Sequence, residues 1–369
     1  MRTTINRVSL LLLVLTIMLT LGACGGKTDP AGSPAGPDDE QKLLITGLQD
    51  KDYEISVGEL KKLAPVTKKA EASRANGETV KVKATGPLLE DVLKQKGKSI
   101  KDYSTVRFTA RDGYSIAVPP DILKSCSIIL AYEIDGKALD AESQPIRVVI
   151  PGERAMYWVR MLARIDLETG DQQTAINKVV FLETAVVNLP QEDYQYYDSL
   201  DRAIKTKDLV DSYAGADRVK KVFIKAGDGL YKNETQANFL SACIKITGKE
   251  APKFMASHLP QGMHVRDVLY INYGGTSFMA YSQGQKVLPR HTLDGQSGIA
   301  LSDVVKTTGL KRAERYRFSG LEGQSLELAV NELGSGLICE NGQGVLEFRC
   351  PGATDKIVER LLSIECLEQ

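Results

Sequence analysis

Histidine, a common metal ligand and acid–base group, is rare in this chain of 369 residues. Three histidines are present, His258, His264 and His291, and no cysteine or carboxylate cluster accompanies them at the spacing of metal ligands. The sequence also shows no recognisable pairing of a nucleophile with a base. It therefore predicts no metal site and no catalytic residues. The histidines are expected on the surface or in local hydrogen bonds.

One cysteine lies in a pattern that predicts a covalent modification. Arg2 and Arg7 accompany an apolar run over 8–21, and Leu21-Gly22-Ala23-Cys24 at its end resembles the lipidation motif of bacterial lipoproteins. The alternative, an uncleaved anchor helix, is disfavoured because the run is short for a bilayer span. We expect a signal peptide at 1–23, an acylated Cys24 thiol, and a mature chain that is lipid-anchored to the extracytoplasmic face of the cell membrane.

The next stretch and the overall charge limit the possible partners. Residues 24–41 have almost no apolar side chains and are rich in Gly, Pro and acidic residues, which predicts a flexible tether. The chain has 47 Lys plus Arg and 47 Asp plus Glu, so its formal net charge is zero. This balance gives no electrostatic basis for binding nucleic acid or an anionic membrane surface. The membrane is expected as a partner only through the lipid, and a further protein or small-molecule partner is not identified.

Five cysteines follow Cys24, at positions 126, 243, 339, 350 and 366. The odd count leaves at least one of them without a disulfide partner inside the chain. Cys350 and Cys366 lie in the last two apolar runs and are placed to pair if those runs are neighbours. Buried thiols are the expected state, and the pairing stays open.

The rest of the chain repeats one pattern three times. In each copy a helical acidic residue precedes an acidic-Gly turn, with separations of 21, 20 and 19 residues. The pairs are Asp91 with Asp112, Asp208 with Asp228, and Asp303 with Glu322. We predict a first module at 42–170 and degenerate second and third modules at 171–275 and 276–369. Strands mixed with short helices, without long βαβ alternation, predict the α+β class.

The first module resembles a known family. The run PIRVVIPG at 145–152, the later Trp-Val-Arg at 158–160, and Ile165 resemble the end of the sulfite-oxidase-like molybdopterin-binding domain. Residues 86–93 and 112–115 resemble its upstream motifs. The resemblance covers 42–168 well and the later modules only in outline. It implies tandem modules with mixed β-sheets, a molybdopterin cofactor and oxidoreductase activity.

The resemblance also implies a metal ligand that this sequence lacks. In that family a cysteine thiolate ligates molybdenum ahead of the helix that the Gly-apolar-Leu motif at 86–88 opens, whereas the corresponding stretch 70–76 has Ser73 and no cysteine. A neutral hydroxyl is a poor substitute for a soft thiolate. Gln144 replaces a family glycine, and the signal peptide lacks the paired arginines used to export folded, cofactor-loaded proteins. We therefore expect no bound cofactor, although the resemblance keeps molybdopterin open.

The cofactor contacts that the resemblance implies fall on Arg147, Trp158 and Arg160. Arginine can donate two parallel hydrogen bonds to a phosphate, and an indole offers a face for stacking. The structural alternative, which we favour, places Trp158 in the core and the two arginines in surface ion pairs.

Three functional hypotheses follow. The leading one is a membrane-tethered lipoprotein whose modules bind or scaffold without catalysis. The alternative is a molybdopterin-dependent oxidoreductase of the sulfite oxidase type with an unusual metal ligand. A solute-binding lipoprotein is the third, but the two α/β lobes that it would need are not predicted.

Overall fold

The computed structural model describes residues 39–367, except 49–50, 75–76, 171–173, 197–198, 216–217, 294, 333–335 and 351–356. The predicted signal peptide, Cys24 and most of the tether lie outside the described residues. No helix within the described part is long and apolar enough to span a membrane.

The first module folds around one apolar core. Its elements are β1 (Lys42–Thr46), β2 (Tyr53–Ser56), α1 (Val57–Lys61), β3 (Val66–Ser73), β4 (Thr79–Gly86), α2 (Leu89–Lys94), β5 (Thr105–Ala110), β6 (Ser115–Val118), α3 (Pro120–Ser125), β7 (Ile129–Ala131), β8 (Glu133–Ile134), β9 (Lys137–Ala138), β10 (Arg147–Val149) and β11 (Leu162–Glu168). A five-stranded sheet has the order β2-β1-β11-β5-β6, with β1 parallel to β11. A four-stranded sheet has the order β3-β4-β8-β9, and β7 pairs with β10. The core therefore uses residues from Leu43 to Leu167.

The second and third modules follow with similar elements. The second contains β12 (Lys178–Phe181), α4 (Leu182–Ala185), β13 (Glu192–Tyr196), β14 (Ser199–Lys205), α5 (Thr206–Tyr213), β15 (Lys221–Ala226), β16 (Tyr231–Thr235), α6 (Gln236–Leu240), β17 (Cys243–Lys245), β18 (Lys253–Met255) and β19 (Val268–Tyr273). The third contains β20 (Thr276–Met279), α7 (Tyr281–Val287), β21 (Arg290–Leu293), β22 (Gln296–Ala300), α8 (Leu301–Thr308), β23 (Arg315–Gly320), β24 (Ser325–Ala329), β25 (Leu337–Glu340), β26 (Leu346–Arg349), β27 (Ile357–Glu359) and β28 (Leu361–Leu367). Mixed sheets with short helices confirm the α+β class.

The predicted recurrence is present in the backbone. In each module a hairpin closed by the acidic-Gly turn pairs with the closing strand, as in β5–β6–β11, β15–β16–β19 and β23–β24–β28. The residue before each closing strand is left-handed, with φ of 48° at Met161, 50° at Asp267 and 49° at Arg360. The carbonyl of each accepts a hydrogen bond from the residue that follows the first hairpin strand. The limits of the modules as separate domains remain predictions.

The second and third modules share one eight-stranded sheet, which the sequence did not predict. Its order is β16-β15-β19-β20-β12-β28-β23-β24, and the central strands β12 and β20 are parallel. Because side chains alternate along a strand, the two faces of these strands belong to different cores. Val180 and Phe278 pack into the core of the second module. Val179, Phe181 and Met279 pack into the core of the third.

Candidate functional site

Ser73, at the position where the resemblance implies a metal ligand, lies at the end of β3. It forms a parallel β-bridge with Arg154, and Gly152 N donates to Glu71 O at 2.9 Å. The loop after β10 is therefore held alongside the end of β3. Ser73 is exposed and lines a cleft of about 590 Å³ between the first and second modules.

Arg147 and Trp158 are close together, and Arg160 lies nearby on the surface. The Arg147 guanidinium carbon is 5.6 Å from the centre of the Trp158 ring, which is a cation–π distance. Trp158 is 5% exposed, and its Nε1 donates to the backbone oxygen of Ile150 at 2.8 Å. Arg160 Nη1 lies 3.5 Å from Glu142 Oε2. Trp158 thus lies in the core and Arg160 in a surface ion pair, as the structural alternative has them, whereas Arg147 lies half-buried against the Trp158 ring. A role of the three residues in cofactor binding stays a prediction.

Two of these three residues line a second cavity. Trp158 and Arg160 border a space of about 520 Å³ together with Tyr114 and Glu142. Arg147 is half-buried, and its Nε has no hydrogen-bond partner among the described residues. Burial, followed by the neighbouring Arg160 cation, lowers the pKa of Arg147 below its usual value. Arg160 and Arg74 oppose the charge of Arg147, whereas Asp140 and Asp135 favour it.

The cleft between the modules is bridged by Arg154. Its Nη2 donates to the backbone oxygen of Asp228 at 3.0 Å, and its Nη1 lies 3.3 Å from Asp228 Oδ2. The turn that presents Asp228 is stabilised locally, because Asp228 Oδ1 accepts from Leu230 N at 2.9 Å and Gly229 supplies a φ of 88°. An arginine of the first module is thus bound to the acidic-Gly turn of the second.

Glu250 organises the opposite wall of the cleft. Its carboxylate accepts from Lys253 Nζ at 2.9 Å and from Arg266 Nη1 at 3.4 Å. The hydrogen bond from Lys253 is the main cause that lowers the pKa of Glu250. Glu250 has a φ of 67°, a left-handed conformation that costs a non-glycine residue about 1–2 kcal/mol. One carboxylate therefore holds two cations at this wall.

His264 also lines the cleft, with its ring fixed by the backbone. His264 Nε2 lies 2.9 Å from the backbone oxygen of Ala256. Burial is the main cause that lowers the pKa of His264, and the cations of Lys253 and Lys232 lower it further. Because an unperturbed histidine has a pKa of about 6.5, the lowered pKa keeps the His264 ring neutral at pH 7.

All three histidines make the local hydrogen bonds that the sequence predicted. His258 Nε2 lies 3.0 Å from Ser241 Oγ, and His291 Nε2 lies 3.1 Å from Asp303 Oδ2.

The cysteine prediction is met for Cys350 and Cys366, which are both buried in the third core. Cys366 Sγ donates to the backbone oxygen of Lys311 at 3.0 Å.

The donor set around Ser73 does not fit molybdenum. Within the described ranges, no group of three or more His, Cys, Asp or Glu side chains is placed to hold a metal ion. Cys126 reaches this region through Glu153, with Sγ 3.5 Å from Oε1. Burial raises the pKa of the Cys126 thiol, so it stays protonated at neutral pH. Neither Ser73 nor Cys126 supplies the thiolate that the resemblance implies.

Sequence reasoning identified one wall of the cleft and missed the other. Ser73 was found through the family resemblance. Glu250, Lys253 and Arg266 were missed because no motif marks them and because they reach the site only when the second module packs against the first. The Asp228-Gly229 turn, already visible as a repeat, was the available signal.

Comparison with known proteins finds a similarity for the first part of the chain. Residues 32–176 match the sequence model of the family described as oxidoreductase molybdopterin binding domain. The chain is also similar to the sulfane dehydrogenase SoxCD from Paracoccus pantotrophus, with 15% identity and a TM-score of 0.32 over 59% of this chain. It spans 62% of the length of that chain. No curated protein matches. Over this segment, and over less than half of its length, the chain is therefore similar to the oxidoreductase molybdopterin binding domain family.

Proposed function

We propose that this chain is a membrane-tethered, extracytoplasmic lipoprotein whose molybdopterin-domain-like modules act in binding or scaffolding without redox chemistry. The observation that carries the proposal is the environment of Ser73. A neutral hydroxyl stands where the family has a thiolate, and the neighbouring Arg154 is bound to the second module. The end of β3 therefore lies beside the contact between the first and second modules.

The chemical argument rests on the charge of the ligand atom. The resemblance implies an anionic, polarisable sulfur as the molybdenum ligand, whereas the Ser73 hydroxyl is neutral at pH 7 and would have to lose its proton to supply an anionic oxygen. Cys126 is not a substitute by position, because it follows the Asp112-Gly113 turn and helix α3 and does not lie at the end of β3. Binding energy for the metal is thus missing at the position where the family supplies it.

The second candidate is a molybdopterin-dependent oxidoreductase, which the family match of residues 32–176 favours. Arg147 adds a specific observation, because its buried Nε lacks a hydrogen-bond partner and the nearby arginines raise the local positive potential. An anionic cofactor group placed there would satisfy both features. The two candidates make opposite predictions for metal content.

The deciding experiment measures molybdenum in protein purified from its own membranes. We expect far less than one molybdenum per chain, with no sulfite oxidation and no sulfoxide reduction. Ser73→Cys, produced under the same conditions, is the matched variant, and a gain of molybdenum in it alone would show that only the thiolate is missing. A content near one per chain in the unmodified protein would refute the proposal and establish the oxidoreductase.

A further inference from the structure

We propose that the cleft between the first and second modules binds a small organic anion, a phosphate or carboxylate that carries an apolar group. This inference deepens the proposed binding function and rests on it. Most of the residues that line the cleft belong to the second module and lie outside the segment that matches the family.

The charge of the cleft is the first argument. Arg74, Arg154, Lys253 and Arg266 line it, against two carboxylates, Asp228 and Glu250. Glu250 is shared by Lys253 and Arg266, and Asp228 is bound to Arg154. Arg74 is paired at 3.1 Å with Glu78, which lies outside the lining. The lining therefore carries more positive than negative charge, and an anion would balance it.

The accessibility of these cations is the second argument. The side chains of Arg154 and Arg266 are about two-fifths exposed, and that of Arg74 is half exposed. Their guanidinium groups are thus not enclosed by protein and can reach an incoming ligand. Guanidinium groups suit phosphate and carboxylate because they donate two parallel hydrogen bonds.

The size and the apolar part of the cleft give the third argument. A volume of about 590 Å³ lies within the range of small-molecule sites, roughly 300–1,000 Å³, and exceeds what a bare inorganic ion fills. Ala155 and Met156 of the first module and Leu230 of the second line it beside the charged groups. An occupant with an apolar group would cover these side chains.

The state of His264 agrees with an anion site. Its ring lines the cleft, and the cations of Lys253 and Lys232 add to burial in lowering its pKa. Burial is the main cause of this shift, and the two cations contribute the part that a positive potential would produce. The same potential would attract an anion.

The test is calorimetric titration at constant ionic strength with three probes, phenyl phosphate, inorganic phosphate and phenol. We expect phenyl phosphate to bind, inorganic phosphate to bind more weakly because it leaves the apolar wall uncovered, and phenol not to bind. Equal affinity for both phosphates would refute the apolar part of the proposal. Absence of phenyl phosphate binding would refute the proposal as a whole.

Matched variants locate the binding. Arg266→Gln and Lys253→Gln should each lower the affinity for phenyl phosphate by about tenfold, because each removes one charge-assisted hydrogen bond. Arg315→Gln is the control, because Arg315 makes a comparable exposed ion pair with Glu327 at 3.4 Å far from the cleft. Thermal unfolding confirms that each variant is folded. Equal affinities in Arg266→Gln, Lys253→Gln and Arg315→Gln would place binding elsewhere.

Molybdenum measured in the same preparation separates the two proposals. Protein without molybdenum that fails to bind phenyl phosphate would overturn the anion site and leave the non-redox proposal standing. Stoichiometric molybdenum would overturn the non-redox proposal, and with it the anion proposal that rests on it.

Discussion

The ring of Tyr114 packs directly against Gly262. A Cβ atom added at Gly262 would lie 2.8 Å from Tyr114 Cε2, which is closer than side chains approach. The ring is also fixed by its hydroxyl group, which donates to the backbone oxygen of Met156 at 2.7 Å. The Asp-Gly-Tyr motif of the first module thus forms part of the contact with the second module.

The close contact predicts the effect of one added methyl group. Gly262→Ala should lower the free energy of unfolding by about 1–3 kcal/mol, the usual cost of overpacking, because the ring cannot move without losing its hydrogen bond. Gly342→Ala is the matched control, since nothing lies within 4 Å of its added Cβ. Urea unfolding measures both variants. Equal effects would show that the Tyr114 ring yields freely.

A buried ion pair beneath the cleft gives a larger effect. Lys232 Nζ lies 2.5 Å from Glu234 Oε1, and the two side chains are 1% and 0% exposed. Lys232→Met should cost about 3–5 kcal/mol of unfolding free energy, because it leaves the Glu234 carboxylate buried without its partner. The double variant with Glu234→Leu should recover much of this loss.

The control for this pair is Lys94→Met, which removes an exposed pair with Asp91 at 3.3 Å. It should change the unfolding free energy by less than about 1 kcal/mol. Denaturant unfolding of all three variants provides the comparison. A loss in Lys232→Met no larger than in Lys94→Met would contradict the argument.

The sequence predicted what local chemistry determines. The acidic-Gly turns were found because glycine must adopt positive φ there, and the structure has φ of 84°, 88° and 85° at Gly113, Gly229 and Gly323. The exposed Ser73 was found through its place in a motif. Each of these features depends on residues that are neighbours in the chain.

Features that depend on distant residues were missed. Strands β12 and β20 pair although they are almost a hundred residues apart in the chain. A short apolar run predicts a buried strand but does not indicate which strands lie beside it. The unbroken apolar run 179–182 is typical of a strand that is buried on both faces, but it does not indicate which two cores bury it. Glu250 and Arg154 are likewise joined in one cleft only by the packing of the modules.

The shared sheet predicts that the second module does not fold without the third. In a chain cut to residues 37–275, strand β12 loses both of its neighbours, β20 and β28. Val179 and Phe181, now fully buried, would then face water. We expect this fragment to aggregate, whereas 37–170, with its own core, should stay soluble and unfold cooperatively. Size-exclusion chromatography and circular dichroism compare them, and a monomeric, cooperatively unfolding 37–275 would refute the expectation.

Lipid attachment remains a sequence prediction with a direct test. Cys24→Ala should release the protein from membranes or leave an unprocessed precursor, since the acylated thiol is lost. Cys126→Ala should keep its membrane association. Metabolic labelling with a radioactive fatty acid distinguishes them, and equal labelling of Cys24→Ala and the unmodified protein would rule out this anchor.

His264 predicts how stability depends on pH. Because its pKa is lowered in the folded protein, the unfolded chain binds the proton more readily, and stability rises with pH in this window. The contribution is fully present above the unfolded pKa of about 6.5 and is lost as the pH falls toward the lower folded value. Burial and the cations of Lys253 and Lys232 oppose the proton, while the backbone oxygens of Ala256 and Leu259 favour it.

When the pH falls from 7.5 to 5.5, the free energy of unfolding should therefore decrease less in His264→Gln than in the unmodified protein, because glutamine takes up no proton. His258→Gln, at an exposed ring, should keep the original dependence. Urea unfolding at the two pH values gives the comparison. Bound phenyl phosphate should raise the pKa of His264, which an NMR titration of the imidazole detects, since an anion in the cleft offsets the neighbouring cations. If His264→Gln kept the pH dependence of the unmodified protein, protonation of His264 would not be the cause of that dependence.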